Sequence, residues 1–413
     1  MYRKKIRVLL PALLLLLLLW GCSSRPQQEE FRGAAFTPEP TATPLPTPEA
    51  VPVDVEQLLA NMTTEEKVGQ LFFVRPDALD PNQTTAQIDD SGSPGVREMS
   101  VTIGNMLVRY PVGGVVIFDK NITSPEQLTS LIASLQAASK LPLFIAVDEE
   151  GGAVARLANH RAFDLPRYES AAAVGAAGEA AAEEMGRTIG SYLKQYGFSM
   201  DFAPVADVNT NPANPVIRTR AFSSDPAAAA VMAGAMARGL SREGIIPTFK
   251  HFPGHGDTQQ DSHLSVAVTE KTRAELRECE WIPYESCDLT GCAMMVGHVA
   301  VPEITGDLTP ASLSGELVTD CLRTELGFSG LVITDSLAMQ AITRSYSPGE
   351  AAVLAIRAGC DVLLMSQDLP AAYNAVLNAV REGAISPERL DESVRRILEY
   401  KVYAGLITSE DMG

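Results

Sequence analysis

Eight short apolar runs recur along this chain, and no other feature restricts its fold so much. They are Leu71 to Val74, Val115 to Phe118, Leu143 to Asp148, Met200 to Val205, Ile245 to Lys250, Ala293 to Gly297, Leu331 to Asp335 and Asp361 to Met365. Helical stretches lie between and after them, among them Glu126 to Ala138, Ala180 to Tyr196, Ala227 to Arg242, Thr272 to Glu285, Pro310 to Leu326 and Pro387 to Val402. Strand alternating with helix implies parallel strands joined by crossovers, and such a sheet needs both faces covered. A single closed (β/α)8 barrel of the TIM type meets that requirement over about 350 residues with no second linker. Pro76 to Tyr110 is polar and yields no pattern, so the first two strands are the least defined.

The N-terminus carries a different signal. Arg3, Lys4, Lys5 and Arg7 precede an apolar stretch centred on Leu13 to Leu19, which ends in Gly21-Cys22-Ser23-Ser24. A basic start and a short apolar core mark a secretory signal over residues 1–21, well under the roughly 20 apolar residues that span a bilayer. Cys22 resembles a bacterial lipoprotein processing site, although Trp20 is bulky for that position; ordinary cleavage with Cys22 incidental is the alternative. Residues 22–53 are rich in Pro, Thr, Glu and Gln, and cannot bury enough surface to offset their ordering entropy. A disordered tether is expected there, with the barrel domain over 54–408. The molecule would be secreted across the cytoplasmic membrane and held on its outer face by lipid alone.

Charge narrows the partners. The formal net charge is −18, from 33 Lys and Arg against 51 Asp and Glu, which makes nucleic acid a poor partner. Beyond Cys22 there remain Cys279, Cys287, Cys292, Cys321 and Cys360, an odd set without Cys-x-x-Cys spacing. Neither a disulfide framework nor structural zinc is expected. The chain gives no sign of a cofactor and does not settle the oligomeric state.

Chemistry concentrates at Lys250 to His263, KHFPGHGDTQQDSH, which holds three of the five histidines and follows the fifth apolar run. It therefore falls at a strand's C-terminal end, where barrels build their sites. Asp335 ends the seventh run. A carboxylate on one strand end and an acid/base loop on another are the minimum for cleaving a glycosidic bond. From strand context alone Asp335 reads equally as a nucleophile or as the cap of the next helix.

Lys250-His251-Phe252-Pro253-Gly254-His255-Gly256, then Asp261-Ser262-His263, then Asp335-Ser336-Leu337-Ala338-Met339, resemble the β-N-acetylglucosaminidases of glycoside hydrolase family 3. Val147-Asp148-Glu149-Glu150-Gly151-Gly152 and Asn214 to Phe222 extend the resemblance from about Asp54 to Tyr403. It implies that Asp335 is the nucleophile, and that His263, oriented by Asp261, is the acid/base. Asp148, Arg156, Arg220, Lys250 and His251 correspond to sugar-binding positions, and the partner is a GlcNAc-containing glycan. Arg156 is the least secure of these, because helix and loop are both plausible around it. Many relatives carry a second domain that supplies the acid/base. Here it is expected from the barrel.

Supporting roles follow. Thr334 and Ser336 are expected to hold Asp335 by hydrogen bonds, and His255 and Asp257 to support the loop. Gly254 and Gly256 permit the backbone angles of a loop that closes over substrate. Gly151 and Gly152 are expected to admit sugar or a neighbouring strand. Asp207 reads as a supporting carboxylate or a structural one, His298 as pocket or core, and His160 as neither. Glu149, where the family often has Gln, is expected to add a charge near the pocket; Arg218-Thr219 also departs from the usual pattern. An isolated Lys250 at a strand end would be costly, so a partner or ligand is expected. The rivals are a metal hydrolase using His251, His255, Asp257, Asp261 and His263, a non-catalytic sugar-binding lipoprotein, and a family 3 β-glucosidase or phosphorylase.

Overall fold

A computed structural model describes residues 53–260 and 265–409. Cys22, the signal and the tether up to residue 52 lie outside them, as do Asp261 and His263.

Each of the eight apolar runs overlaps a strand: β1 (Phe72–Val74), β2 (Gly114–Val116), β3 (Phe144–Val147), β4 (Met200–Asp201), β5 (Ile246–Phe252), β6 (Ala293–Val296), β7 (Val332–Thr334) and β8 (Leu363–Leu364), with β2 starting one residue before its run and β5 ending two after it. Each pairs in parallel with its sequence neighbour from β1 to β7. β8 pairs with β1, and a parallel bridge from Ile333 to Val362 completes the ring. The barrel is closed, and every strand in it is parallel.

Local sequence begins the surrounding helices cleanly. Ser124, Asp225, Ser347 and Ser386 each accept a backbone N–H of the first turn through the side chain, and each is followed by proline. The cap satisfies one orphan donor, and proline pre-sets φ where no N–H is needed. The inner faces then bury leucine, isoleucine and alanine against strands that are apolar throughout, such as Phe72, Phe73, Phe144 and Ile145.

Two expected helices come out differently. Thr272 to Glu285 splits into Arg273–Glu278 and Ile282–Ser286, because Cys279 leaves the helical region at φ −140°, ψ −80°, and Pro283 starts a new turn. Pro310 to Leu326 becomes a short 3-10 turn, Ala311–Leu313, and a π-helical stretch, Glu316–Glu325. The unassigned segment after β1 folds as a turn at Pro76–Leu79 and helices Thr85–Asp89 and Val101–Arg109. Its order comes from buried polar contacts, which periodicity does not report.

Candidate active site

At the C-terminal ends of the strands a cavity of about 280 Å³ is lined by Asp148, Glu150, Arg156, Arg220, Lys250, His251, His255 and Asp335, among others. Every position expected to bind sugar, and the nucleophile candidate, lines this one space. Among the described residues no three His, Cys, Asp or Glu side chains come together as a metal site.

Its floor is a buried ion cluster. Lys250 is 2% exposed, and its Nζ lies 2.7 Å from Asp148 Oδ1 and 2.6 Å from Glu150 Oε1. Arg220 donates to both oxygens of Glu150, at 2.8 and 2.7 Å, the planar fork that a guanidinium makes with a carboxylate. Burial would raise the Glu150 carboxyl, but Arg220 and Lys250 outweigh it and hold the group well below the usual carboxylate range. Burial likewise opposes the charge on Lys250, and Asp148 and Glu150 overcome it, so its pKa rises. The cost expected of a buried lysine is met by this pair of carboxylates. Arg156 stands at the rim, half-buried, 4.0 Å from Asp148, with its guanidinium over the Phe118 ring.

His251 and His255 share one carboxylate. Asp207, fully buried, meets His251 Nδ1 at 2.6 Å and accepts the backbone N–H of His255 at 2.7 Å. Burial is again outweighed, by His251 first, so Asp207 is held below its ordinary pKa. The supporting reading of Asp207 is the one realised. His255 Nδ1 is 2.7 Å from the Thr258 hydroxyl, and burial pushes its imidazole pKa down despite Asp207.

Asp335 is anchored by a short backbone contact, the Ser336 N–H donating to Oδ1 at 2.6 Å. Thr334 does not take part as expected: its hydroxyl faces β8 and accepts the Leu364 N–H at 3.0 Å. His298 is a core residue, wholly buried, 2.8 Å from the Ser336 carbonyl through Nε2 and 2.8 Å from the Ser312 hydroxyl through Nδ1. It backs the segment that carries Asp335.

Three other expectations need correction. Glu149 adds no charge to the cavity; it turns into the core, accepting from Leu157 N, Ala158 N and Tyr192 Oη, and burial raises its pKa. Residues alternate across extended backbone, so Asp148 and Glu150 face the cavity while Glu149 faces away. Gly151 and Gly152 do have positive φ, +79° and +62°, and a Cβ there would strike Met185 and Ser170, so the close neighbours are a helix and a helix cap, not a strand. Gly256 is required by packing alone, since a Cβ would lie 1.8 Å from the Val208 carbonyl oxygen, whereas Gly254 combines φ +126° with contact to Glu280.

The described residues on either side of 261–264 are tied down. Asp257 accepts the Thr269 hydroxyl at 2.6 Å, Lys271 pairs with buried Glu280, and Ala267–Val268 pairs with Val299–Ala300 just after β6. Asp257 thus has the supporting place expected of it. Glu150, Arg75, Phe118 and Met339 line the cavity without having been singled out from sequence; for Glu150 the two-residue alternation from Asp148 was the available signal.

A charged cavity at the C-terminal end of a closed parallel barrel defines a barrel enzyme's site. Residues 63–400 match the model of the glycosyl hydrolase family 3 N-terminal domain, and the chain belongs to that family. A β-hexosaminidase of Stenotrophomonas maltophilia (strain K279a) is 36% identical over 301 residues, 71% of this chain and 87% of that protein. Beta-hexosaminidase A of Pseudoalteromonas piscicida is 32% identical over 329 residues, 72% of this chain but 54% of that longer protein. A solved family 3 β-N-acetylglucosaminidase from Paenibacillus sp. str. FPU-7 superposes with a TM-score of 0.76 at 36% identity, covering 84% of this chain and 63% of that one.

Proposed function

We propose that this protein is a retaining exo-β-N-acetylhexosaminidase that releases terminal non-reducing GlcNAc from peptidoglycan-derived glycans or muropeptides. One observation carries the reading: Asp335, just past the C-terminal end of β7, and the Lys250–Asp148–Glu150–Arg220 cluster line a single small cavity. Sites for drug-sized ligands start at about 300 Å³, so this space suits one terminal sugar, with the cluster and His251 as hydroxyl ligands. The names of the relatives support the N-acetylhexosamine specificity.

In the first step the Asp335 carboxylate attacks the anomeric carbon while the C1–O bond breaks. The departing oxygen takes the electron pair and a proton from His263, whose imidazolium Asp261 favours and orients. Water then attacks C1, gives its proton to His263 and displaces Asp335. At the other end of the chain, residues 1–21 serve as a lipoprotein signal, Cys22 takes the lipid, and 22–53 tether the 54–408 barrel to the outer face of the membrane; the basic–apolar–Gly-Cys order supports this.

Turnover of a chromogenic GlcNAc β-glycoside, with the product anomer followed by NMR, tests the reading. The β-anomer should appear first, and Asp335→Asn should lose about a thousandfold in kcat, ~4 kcal/mol of barrel-site stabilisation of the transition state. An α-anomer first, or Asp335→Asn turning over like wild type, would sink it.

A further inference from the structure

His298 lies two residues past β6 and is wholly buried, where an apolar side chain would fill the space without desolvating two ring nitrogens. Its polarity therefore needs a use. Nε2 is 2.8 Å from the Ser336 carbonyl oxygen, and Nδ1 is 2.8 Å from the Ser312 hydroxyl. A carbonyl oxygen has no hydrogen to give, so Nε2 carries the proton and donates; in the neutral ring Nδ1 then accepts from Ser312. Ser312 is itself wholly buried, on the turn Ala311–Leu313, and an antiparallel bridge from Ala300 to Pro310 holds that turn against the short strand Val299–Ala300 that follows His298.

The carbonyl that His298 meets belongs to the residue whose N–H holds the nucleophile candidate. Ser336 donates to Asp335 Oδ1 at 2.6 Å, and its carbonyl also accepts the Met339 N–H at 3.1 Å. Asp335 and Met339, the two ends of this turn, both line the cavity. Backbone bonds fix the flanks: the Asp335 N–H donates to the Val296 carbonyl of β6 at 2.8 Å, and the Leu337 N–H to the Leu364 carbonyl of β8 at 2.9 Å. Any residue but proline supplies such bonds. The bond from His298 differs, because it needs a side-chain donor of this reach, and it fills the carbonyl lone pair that Met339 leaves open. Ser336 is thereby gripped through its N–H and its C=O together.

A reacting group has to be held within about 0.5 Å of its productive place, and a misplacement of about 1 Å costs on the order of a hundredfold in rate. We propose that His298, seated by Ser312, is a positioning residue for the nucleophile: through the Ser336 carbonyl it fixes the turn that aims the Asp335 carboxylate at the anomeric carbon. The proposal rests on the glycosidase reading above. It concerns bond making and leaves sugar binding alone, since Lys250, Asp148, Glu150 and Arg220 are held by their own ion pairs.

The test sets His298→Gln, which keeps one donor and one acceptor, against His298→Phe, which keeps a planar ring and loses both. On the chromogenic GlcNAc β-glycoside the Phe variant should lose roughly 30-fold or more in kcat/KM, while the inhibition constant of free GlcNAc stays within about threefold of wild type. The Gln variant should recover to within about fivefold of wild type. A residue that merely packs predicts the reverse order, with Phe the milder change. Phe no worse than Gln, or GlcNAc affinity falling in step with turnover, overturns the proposal. If the Phe variant does not fold, Ser312→Ala decides: it keeps the ring but removes its seat, and should lose about threefold to tenfold in kcat/KM at an unchanged inhibition constant, whereas full activity overturns the proposal. Failure of wild type to cleave the glycoside would instead refute the glycosidase reading. Crystal structures of the variants then still decide the placement: the Asp335 carboxylate should move by about 1 Å in the Phe variant and by less than about 0.5 Å in the Gln variant, and a carboxylate unmoved in both overturns it.

Discussion

Lys250 and Lys401 both lie buried in this barrel, one near each end, and their surroundings are opposite. Lys250, at the C-terminal end of the strands, meets Asp148 and Glu150 and keeps its charge. Lys401 is wholly buried near the N-terminal ends, where its Nζ lies 2.6 Å from Gln70 Oε1 and 5.6 Å from the centre of the Phe144 ring. Burial alone lowers its pKa to about 7. An amide oxygen and a ring face solvate an ammonium without neutralising it; two carboxylates do both. The comparison teaches that burial by itself does not mark a functional charge. What marks the upper lysine is a countercharge network held open to a cavity.

The largest break in that contrast should come from Glu150→Gln, which leaves Arg220 facing a neutral amide. Removing one partner of a buried pair costs about 3–5 kcal/mol, so urea denaturation at pH 7 should show a loss near 3 kcal/mol together with a large drop in turnover. Because the folded-state pKa of Glu150 is depressed, its contribution is present above the unfolded value of ~4.3 and fades as pH falls below it. The gap between wild type and variant should therefore narrow in acid. A gap that is constant with pH would show that the lost stability is not electrostatic.

Lys401→Met should act in the other direction, with a gain of about 1–2 kcal/mol at pH 7, since it replaces a poorly neutralised buried cation by an apolar chain of similar length. Here the folded pKa, about 7, lies below the unfolded value of ~10.4, so the penalty on wild type is full below pH 7 and disappears as pH rises through the window between them. Wild type should close on the variant between pH 7 and 10, measured by thermal melts, with catalysis unchanged. Destabilisation at pH 7 would mean that the Gln70 contact outweighs burial.

The smallest expected effect is at the rim. Arg156→Lys keeps the charge but loses the planar group that lies over Phe118 and approaches Asp148, so KM should rise by up to about tenfold, ~1.4 kcal/mol, with kcat and stability little changed. A fall in kcat with unaltered KM would place Arg156 in the chemistry instead.

Much of this was legible in the chain. The eight apolar runs predicted the strands because a buried parallel strand must be apolar on both faces. Asp148, Arg156, Arg220, Lys250, His251 and Asp335 were all singled out beforehand, and all line one cavity. Other features were hidden for physical reasons. Glu149 and Glu150 are the same residue type, one position apart, and only the direction of the backbone sends one into the core and the other to Lys250. Thr334 was assigned to Asp335 from adjacency, whereas its hydroxyl serves the neighbouring strand. The order in Pro76 to Tyr110 depends on Asp77 reaching Asn121 and Lys120, contacts more than forty residues away in sequence that leave no periodic trace.

The sequence by itself determined the alternation of strand and helix, the closed barrel as its consequence, and the residue types held at the strand ends, because these follow from short-range patterning of apolar and capping groups. Only the tertiary structure decided which charges meet: that Glu150 is shared between Lys250 and Arg220, that Asp207 joins two histidines, and that among the described residues no carboxylate pairs with Lys401. Coulomb and hydrogen-bond energies depend on distance and on exclusion of water, and both are set only when the barrel closes.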